Sequence, residues 1–380
     1  MRCRVLILIA HTGGGHLRAA EAVAEALRRR HDADVKTEIL DAVGEYGPFP
    51  FNHLDWIYRH WVGSAPLTWR WGYRLTDEKG RANAILRLFW PWVWPRAKRL
   101  FQRHSADVIV SAHPLTNHYT AWALERLDLA VPFATLVTDP VSVHPFWLST
   151  RVCRCLVGSS EARRKALECG LRDDRISITG HPVNPDFSDG LLDKAETRRT
   201  LGWSLERPAV LLLGGGEGMG NLYQTARELE TAHPGVQIAI VAGRNRHLKQ
   251  RIEKADWQVP LHVYGFVQNA QLMSKLMSAS DVLVTKAGPG SIHEAFLAGL
   301  PLVLNAAVPG QEEGNVRLVV DGGAGEWAPG PTRAAQTVAR WVGLERAELE
   351  RKAACARALA RPDAAFEAAD EVWRLALTNL

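Results

Sequence analysis

A histidine follows three consecutive glycines near the start of the chain. The segment HTGGGH, residues 11–16, stands between the apolar run VLILIA and an amphipathic helical pattern. Glycines let a backbone approach a partner closely, and a helix N-terminus presents unpaired N–H groups. Because the positive end of a helix disfavours a charged imidazole, His16 is predicted to be neutral and able to act as a general base. The alternative is that His16 only helps to cap the helix.

The same turn departs from the dinucleotide-binding fingerprint. That fingerprint needs G-x-G-x-x-G, and the chain offers Gly13 and Gly15 but Arg18 at the third position. Asp41 stands about where a ribose-binding acid would follow the second strand. The missing third glycine therefore argues against an NAD site without excluding it. The Walker pattern of nucleoside triphosphate sites is absent from the sequence.

The turn in TKAGPGSIHEA, residues 285–295, is the segment that says most about a possible ligand. A strand is predicted to end at Thr285 and a helix to begin near Ser291, so that backbone donors surround the bend between them. This arrangement is typical of a diphosphate cradle. Glu294 lies one turn inside the helix, where its carboxylate would reach a ribose. Ser291 and Glu294 fit a capping box equally well.

Two further turns carry groups that suit a sugar or a phosphate. The segment LLLGGGEGMGNL, residues 211–222, includes Gly215 and Gly216. It either cradles a phosphate or lets two domains approach each other. The segment PGQEEGN places Gln311, Glu312 and Asn315 after the next strand. Amide and carboxylate groups suit sugar hydroxyls, although they are also common in loops.

Strand-like runs alternate with helical patterns almost throughout the chain. The strand runs are nearly continuous in apolar residues, as in parallel sheets that are buried on both faces. The pattern predicts two doubly wound α/β domains, residues 1–190 and 191–380. A Trp-rich segment at about residues 46–104 interrupts the first series. The last helical block, residues 333–377, is a candidate to cross back to the first domain.

Composition limits the class of protein. The chain has 380 residues, of which 47% are hydrophobic, and no apolar stretch reaches the roughly 18 residues that a membrane-spanning helix needs. The N-terminal apolar run is too short for a signal peptide, so we expect a cytoplasmic protein. Its five cysteines are scattered without C-x-x-C spacing and indicate neither a disulfide framework nor a zinc site.

The segment from residue 51 to 104 is basic and rich in tryptophan. It holds ten Lys or Arg against three acidic residues, a net charge of +7, and seven of the fourteen tryptophans. Basic residues with interleaved indole rings suit an anionic membrane surface. They also suit single-stranded nucleic acid, and a third interpretation is a helical subdomain with a Trp-rich core and a solvated basic face.

Several motifs together resemble one known family. TGGGH, FPFNHLDWIYRH, VTDPVSVHPFW, GHPVNPDF, LLLGGGEGMG and the stretch from GFVQNAQ to PGQEEGN occur in the order which that family shows. The chain resembles the monogalactosyldiacylglycerol synthases and the related bacterial diacylglycerol glucosyltransferases of glycosyltransferase family 28. The resemblance covers nearly the whole chain and implies a GT-B fold, in which two Rossmann-like domains face each other across a cleft.

The resemblance also implies roles for individual residues. The catalytic set would be His16 as general base, together with Asp139 and His144. The donor-binding set would be Gly215, Gly216, Phe266, Gly288, Pro289, Gly290, Ser291, Glu294, Gln311, Glu312 and Asn315. Within it, uracil would meet the backbone around Phe266, Glu294 would hold the ribose, and Gln311 with Glu312 would hold the sugar. The acceptor and membrane set would be Gly14, Gly15, Trp56, Trp61, Trp90, Trp92, Trp94 and Trp147.

The implied reaction moves galactose or glucose from a UDP-sugar to diacylglycerol, with inversion and without a metal or other cofactor. His16 would supply the base and helix-start amides near Ser291 would stabilise the departing UDP. The enzyme would lie at the inner face of the cell membrane, on an anionic surface, and would not bind nucleic acid. Alternatives are an N-acetylglucosamine transferase acting on a cell-wall lipid intermediate, a sugar-nucleotide epimerase, and a membrane-binding scaffold without activity.

Overall fold

The computed structural model describes residues 2–12, 14–64 and 66–378 and divides the chain into two compact units. Gly13, used above in the comparison with dinucleotide sites, lies outside these ranges. The first unit is Met1–Asn184 with Pro309–Gln311 and Asp363–Leu380, and the second is Pro185–Val308 with Glu312–Pro362. The last helix of the chain therefore belongs to the first unit.

The first unit alternates strands and helices and contains an all-helical segment after its second strand. Its strands are β1 Cys3–Ile9, β2 Val35–Asp41, β3 Val108–Ser111, β4 Phe133–Leu136, β5 Arg154–Val157 and β6 Ile176–Ile178. Its helices are α1 Gly15–His31, α2 Ala42–Tyr46, α3 Leu54–Ser64, α4 Pro66–Thr76, α5 Lys79–Arg103, α6 Pro114–Arg126, α7 Ser160–Glu168 and, from the end of the chain, α17 Ala364–Leu377. Short 3-10 turns include Phe51–His53 and Pro145–Trp147.

All six strands of the first unit run parallel, in the spatial order β2-β1-β3-β4-β5-β6. The chain adds β2 on one side of β1 and then returns to add β3 on the other side. In a doubly wound sheet, ligands bind beyond the carboxyl ends of the strands at the point where this order reverses. The switch point of this sheet lies between β1 and β3.

Both faces of the first sheet are covered, because successive side chains of a strand point in opposite directions. Val5, Ile7 and Ile9 of β1 pack with α1 and α17 on one face. Leu6 and Leu8 pack on the other face with a cluster that includes residues of α5 and α6. This two-sided burial explains why β1 reads as a continuous apolar run.

The Trp-rich segment consists of α3, α4 and α5. The longest of these helices, α5, has 25 residues and includes Pro91 and Pro95 in its interior. Each proline removes one backbone donor from the helix. Ala82, Leu86, Ala97, Leu100 and Phe101 are its buried residues.

The second unit has the same architecture. Its strands are β7 Ala209–Leu213, β8 Gln237–Val241, β9 Leu261–Tyr264, β10 Val282–Lys286, β11 Leu302–Ala306 and β12 Gly325–Trp327. Its helices are α8 Pro185–Asp189, α9 Lys194–Leu201, α10 Leu222–Ala232, α11 Arg246–Glu253, α12 Ala270–Ser278, α13 Pro289–Ala298, α14 Glu313–Asp321, α15 Pro331–Val342 and α16 Arg346–Leu359.

The second sheet is also parallel, in the order β12-β11-β10-β7-β8-β9, so its switch point lies between β7 and β10. The glycine-rich turns after β7 and β10 both lie at this point. Two short edge strands, β6 and β12, have three residues each and were not among the predicted strands. Three residues are too few to show the apolar run by which a strand is recognised.

We predict that Val372→Asp in α17 destabilises the first unit. Val372 is fully buried against the sheet, so an aspartate there would place an unpaired charge in the core and cost about 3–5 kcal/mol. Urea unfolding measures this effect. Leu377→Asp, on an exposed position of the same helix, is the matched control and should change stability by less than about 0.5 kcal/mol. Equal effects of the two variants would show that α17 does not complete the core.

Candidate functional site

The first candidate site lies at the switch point of the first sheet. His16 is the second residue of α1, directly beyond β1, and Gly14 occupies the N-cap position. A Cβ on Gly14 or Gly15 would meet no atom within 4 Å, so local packing does not require these glycines. The turn therefore leaves open space in front of the start of the helix, which suits a ligand.

His16 is buried among residues from the neighbouring strand ends. Its Nδ1 lies 2.8 Å from Oγ1 of Thr138, and the ring also hydrogen-bonds to the backbone of Ala112. The ring centroid lies 4.6 Å from that of His113 and 5.7 Å from that of Trp147. Burial lowers the pKa of His16 from 6.5 to about 4, partly offset by the bond to Ala112. The imidazole is therefore neutral at physiological pH, as a general base must be.

Asp139 and Trp147 support the wall behind His16. Trp147 is fully buried and its Nε1 donates a 2.7 Å hydrogen bond to Oδ2 of Asp139. Buried carboxylates are costly unless such donors satisfy them. Trp147 packs against His16 and is not exposed, so its assignment to the set of membrane-contacting residues is wrong. Asp139 is thus linked to His16 through the indole ring.

His113 and Thr138 are neighbours of His16 that the sequence did not single out. His113 follows β3 and caps α6, since its Nδ1 accepts a hydrogen bond from the Leu115 amide. Its Nε2 lies 2.9 Å from Oγ1 of Thr12. Burial, with His16 nearby, holds the pKa of His113 well below its usual range. The sequence feature that could have identified His113 is the segment SAHP, residues 111–114, in which a histidine follows a buried strand.

His144 is buried, caps the 3-10 turn Pro145–Trp147, and has a hydrogen-bond partner at each ring nitrogen. Its Nδ1 accepts from the Phe146 amide at 3.2 Å, and Nε2 lies 3.0 Å from Oγ1 of Thr76. Burial lowers the pKa of His144 to about 4. These contacts are those of a histidine packed within a loop, and its part in catalysis stays a prediction.

The tryptophans of the predicted membrane set fall into two groups. Trp56, Trp61 and Trp92 are exposed, with 59% of Trp92 accessible. Trp90 and Trp94 instead pack against the core, with Trp90 stacked on Tyr119 of α6. The segment is thus both a Trp-packed helical subdomain and a surface with protruding indole rings. Among the residues described, no helix has the length and apolar character to cross a bilayer.

The second candidate site lies at the switch point of the second sheet. After β7, Gly214 and Gly218 are required by packing, since a Cβ on Gly214 would lie 2.5 Å from the backbone of Gly218. Gly215 has a φ of +64°, which disfavours other residues. Gly214, Gly215 and Gly218 are therefore explained by backbone packing and conformation without any ligand. Gly216 faces Arg244, whose Nη1 would lie 3.2 Å from a Cβ placed there.

The start of α13 has the geometry of an anion site. Gly288 is the N-cap, Pro289 is the first helical residue, and no side chain caps the helix. The capping-box alternative is wrong, because the helix begins before Ser291 and Ser291 is not its N-cap. A Cβ on Gly290 would meet nothing within 4 Å. Glu294 is buried one turn further along α13.

Lys286, Glu312 and Asn315 surround this turn. Oε1 of Glu312 is paired with Nζ of Lys286, and Oε2 accepts a 2.8 Å hydrogen bond from the Val308 amide. Nδ2 of Asn315 donates to the Ala287 carbonyl at 2.9 Å. The structure thus brings Glu312 and Asn315 to the Gly288 turn, as the sequence predicted. Lys286 was missed, although a cation at a phosphate-binding turn would neutralise the ligand.

Phe266 and Gln311 complete the predicted donor set. Phe266 follows β9 and is partly exposed, and the Arg244 guanidinium lies 4.0 Å from its ring centroid. Arg244 also pairs with Glu217 at 3.2 Å. Gln311 is grouped with the first unit, whereas Glu312 belongs to the second. A shared role of Gln311 and Glu312 stays a prediction.

The described residues were also compared with the requirements of a metal site and of disulfide bonds. In the described part of the chain, no group of three or more His, Cys, Asp or Glu side chains is arranged to hold a metal ion. The five cysteines are free thiols. The candidate sites are therefore made of imidazole, carboxylate, lysine and backbone groups.

Solved structures with the same fold include sugar-nucleotide enzymes. The chain superposes on a UDP-GlcNAc 2-epimerase from Neisseria meningitidis bound to UDP-GlcNAc with a TM-score of 0.63, 12% identity and full coverage of both chains. It superposes on MurG of Acinetobacter baumannii with a TM-score of 0.60 and 16% identity, over 98% of this chain and 99% of that one. At such identities the likeness shows the fold alone, and it confirms the predicted GT-B class.

Sequence families define the class more narrowly. Residues 209–354 match the glycosyltransferase family 28 C-terminal domain, so the protein is a glycosyltransferase of the GT-B class. Residues 16–183 match the monogalactosyldiacylglycerol synthase family. A probable monogalactosyldiacylglycerol synthase 2 from Oryza sativa subsp. japonica is 38% identical over 98% of this chain and 80% of its own. The synthase from Spinacia oleracea is 37% identical over 96% and 71%. The chain belongs to the monogalactosyldiacylglycerol synthase family, as predicted.

The predicted location is wrong. The sequence was expected to belong to a cytoplasmic enzyme at the inner face of the cell membrane. The curated relatives from rice, spinach and Arabidopsis thaliana are instead described as chloroplastic. The prediction failed because amino-acid composition does not distinguish one compartment from another.

We predict that the free energy of unfolding of the first unit falls as the pH falls from about 6.5 to about 4. Burial lowers the pKa of His16 and His144 to about 4, so the unfolded chain binds more protons in this window. Each histidine contributes roughly 3 kcal/mol at most. Urea titrations at pH 7 and pH 5 measure the difference. It should shrink in His144→Phe and persist in His247→Phe, where the histidine is exposed. An unchanged difference in His144→Phe would contradict the burial argument.

Proposed function

We propose that this chain transfers galactose from UDP-galactose to the free hydroxyl of diacylglycerol. The observation that carries the proposal is its match to named monogalactosyldiacylglycerol synthases, at 35–38% identity over 96–98% of the chain. Identity along almost the whole chain covers both candidate sites. The relatives' names favour galactose over glucose.

His16 is the proposed general base. The acceptor oxygen forms a bond to the anomeric carbon while the bond from that carbon to the β-phosphate oxygen breaks, and the acceptor proton passes to the imidazole. A neutral ring is needed for this step, and burial keeps His16 neutral. A single displacement of this kind inverts the anomeric configuration, and we propose no covalent intermediate.

The start of α13 is the proposed diphosphate site. Unpaired amides at Gly290 and Ser291 and the positive end of the helix would stabilise the negative charge that develops on UDP. Lys286 adds a cation beside the same turn. We therefore propose that no metal or other cofactor takes part. Glu294 is proposed to bind the ribose, and Glu312 and Asn315 the sugar.

The exposed tryptophans give the enzyme a proposed route to its lipid. Trp56, Trp71 and Trp92 protrude from a segment with a net charge of +7. Indole rings favour the headgroup layer, and each basic residue near an anionic surface adds about 1 kcal/mol of attraction. We propose that this segment docks on an anionic membrane surface, from which the enzyme takes diacylglycerol.

We predict that His16→Ala lowers kcat by about 10²- to 10⁴-fold, the usual worth of a general base. The assay measures transfer to dioctanoylglycerol in detergent micelles. Affinity for UDP, measured by calorimetry, should be unchanged because His16 belongs to the other unit. His247→Ala, at an exposed position, is the matched control and should keep wild-type activity. Full activity in His16→Ala would remove this residue from the mechanism.

We also predict that UDP-galactose is the preferred donor and that the product is β-linked. The assay offers UDP-galactose, UDP-glucose and UDP-N-acetylglucosamine in turn, with EDTA present throughout. Mass spectrometry detects the glycolipid, and the proton coupling at the anomeric carbon gives its configuration. Transfer only from UDP-glucose would reassign the donor. Turnover of a donor without lipid would point instead to an epimerase, and an α-linked product would exclude single displacement.

A further inference from the structure

The first unit contains a large apolar cavity beside the helix α5. The cavity, here called the α5 cavity, has a volume of about 260 Å³ and lies among α2, α5 and α6. An apolar cavity of about 150 Å³ already binds benzene. A space of this size and composition is therefore suited to a hydrocarbon ligand.

Three polar side chains in the wall of the α5 cavity, those of Thr116, Thr76 and Tyr46, have partners within the protein. Oγ1 of Thr116 bonds to Ser111 and to the His113 carbonyl, and Oγ1 of Thr76 bonds to the Gly72 carbonyl. The hydroxyl of Tyr46 lies 3.0 Å from Nε2 of His104. These groups have their hydrogen bonds satisfied elsewhere, so the cavity offers water few partners. A hydrocarbon occupant loses nothing by contact with such a wall.

The α5 cavity adjoins the residues that surround the candidate base. Leu115 lines it, and the amide of Leu115 donates to His113, whose ring lies against His16. Phe146 also lines it, and its ring centroid lies 4.5 Å from that of His144. A ligand with its tail in the cavity would therefore have its head near the switch point of the first sheet.

The cavity also adjoins the Trp-rich segment. Phe89, Val93 and Ala97 line it from α5, at the spacing of one helical face. Phe89 packs edge to face on Phe51 with centroids 5.2 Å apart, and both rings are only half-buried. The opposite side of α5 carries the exposed Leu88 and Trp92. The same helix thus separates the cavity from a surface suited to lipid.

From these observations we infer that the α5 cavity binds one acyl chain of the acceptor diacylglycerol while its glycerol hydroxyl lies at His16. This inference rests on the proposed function, because it takes the acceptor rather than a bulk lipid as the occupant. The occupant must be apolar along its length and must end in a polar group near the base. A fatty acyl ester of glycerol meets both conditions. The cavity would then position the acceptor and make the rate depend on chain length.

Photolabelling tests the occupancy of the cavity without any need for turnover. The probe is a diacylglycerol with a diazirine in the middle of one acyl chain, presented to the full chain in detergent micelles. We expect crosslinks on the cavity face of α5 and on Leu115 or Tyr119 of α6, and we expect excess dioleoylglycerol to remove them. Crosslinks only on the exposed rings of α3 and α4 would overturn the inference.

Cavity-filling variants test its effect on the acceptor. Ala97→Phe and Val93→Phe place a ring in the cavity, whereas Ala84→Phe makes the matched change at an exposed position of α5. We expect the first two to raise KM for dioleoylglycerol about tenfold relative to KM for dioctanoylglycerol, because long chains lose more buried methylenes. Ala84→Phe should keep the wild-type ratio. Wild-type ratios in all three variants would contradict the inference.

The two experiments separate this inference from the proposed function. Competed crosslinks in the cavity without transfer from any UDP-sugar would support the cavity and overturn the proposed function. Galactose transfer with crosslinks elsewhere and no change of chain-length preference would support the function and overturn the cavity. Thermal unfolding of each variant should match the wild type, and the photolabelling result on the wild type does not depend on how the variants fold.

Discussion

The reversal of strand order in a parallel sheet is the constraint on which the candidate sites depend. Where the chain turns back, two neighbouring strands send their helices to opposite faces and leave their carboxyl ends uncovered. In the first unit this point lies between β1 and β3, where His16 and His113 meet. In the second it lies between β7 and β10, where the Gly288 turn begins α13. Each unit thus has its candidate groups at the carboxyl edge of its sheet, where the strand order reverses.

Burial determines the protonation state of His16 and His144 in the first unit. His16 and His144 lose hydration when they are packed into the wall, and this loss holds both in the neutral form. The same burial links the candidate chemistry to stability, since acid favours the unfolded chain. Near the second switch point the electrostatics differ, because Lys286 is balanced by Glu312 while the start of α13 keeps its amides uncapped. The first unit therefore places neutral imidazoles at its switch point, and the second places uncapped helix amides beside an ion pair.

The Trp-rich segment shows how one stretch of sequence can carry two physical roles. Trp90 and Trp94 fill the space between α5 and α6, whereas Trp92 points outward between them in sequence. The helical period of 3.6 residues produces this division, because neighbours at i and i+2 lie on different faces. Phe89, Val93 and Ala97 of the same helix line the α5 cavity, and Trp92 is exposed. Packing accounts for Trp90 and Trp94, whereas contact of the exposed rings with a membrane stays a proposal.

The sequence determined the fold class, the two-domain plan and the family, because apolar strand runs, glycine turns and ordered motifs are local in the chain. It also singled out His16 and the turn at residues 288–291 as candidate groups, whose roles stay proposals. Only the tertiary structure decided the order of the strands and hence which turns become neighbours. That is why His113, Thr138 and Lys286 were missed and why the sequence did not show that α17 belongs to the first unit. These features depend on contacts between residues far apart in the chain, which no local pattern encodes.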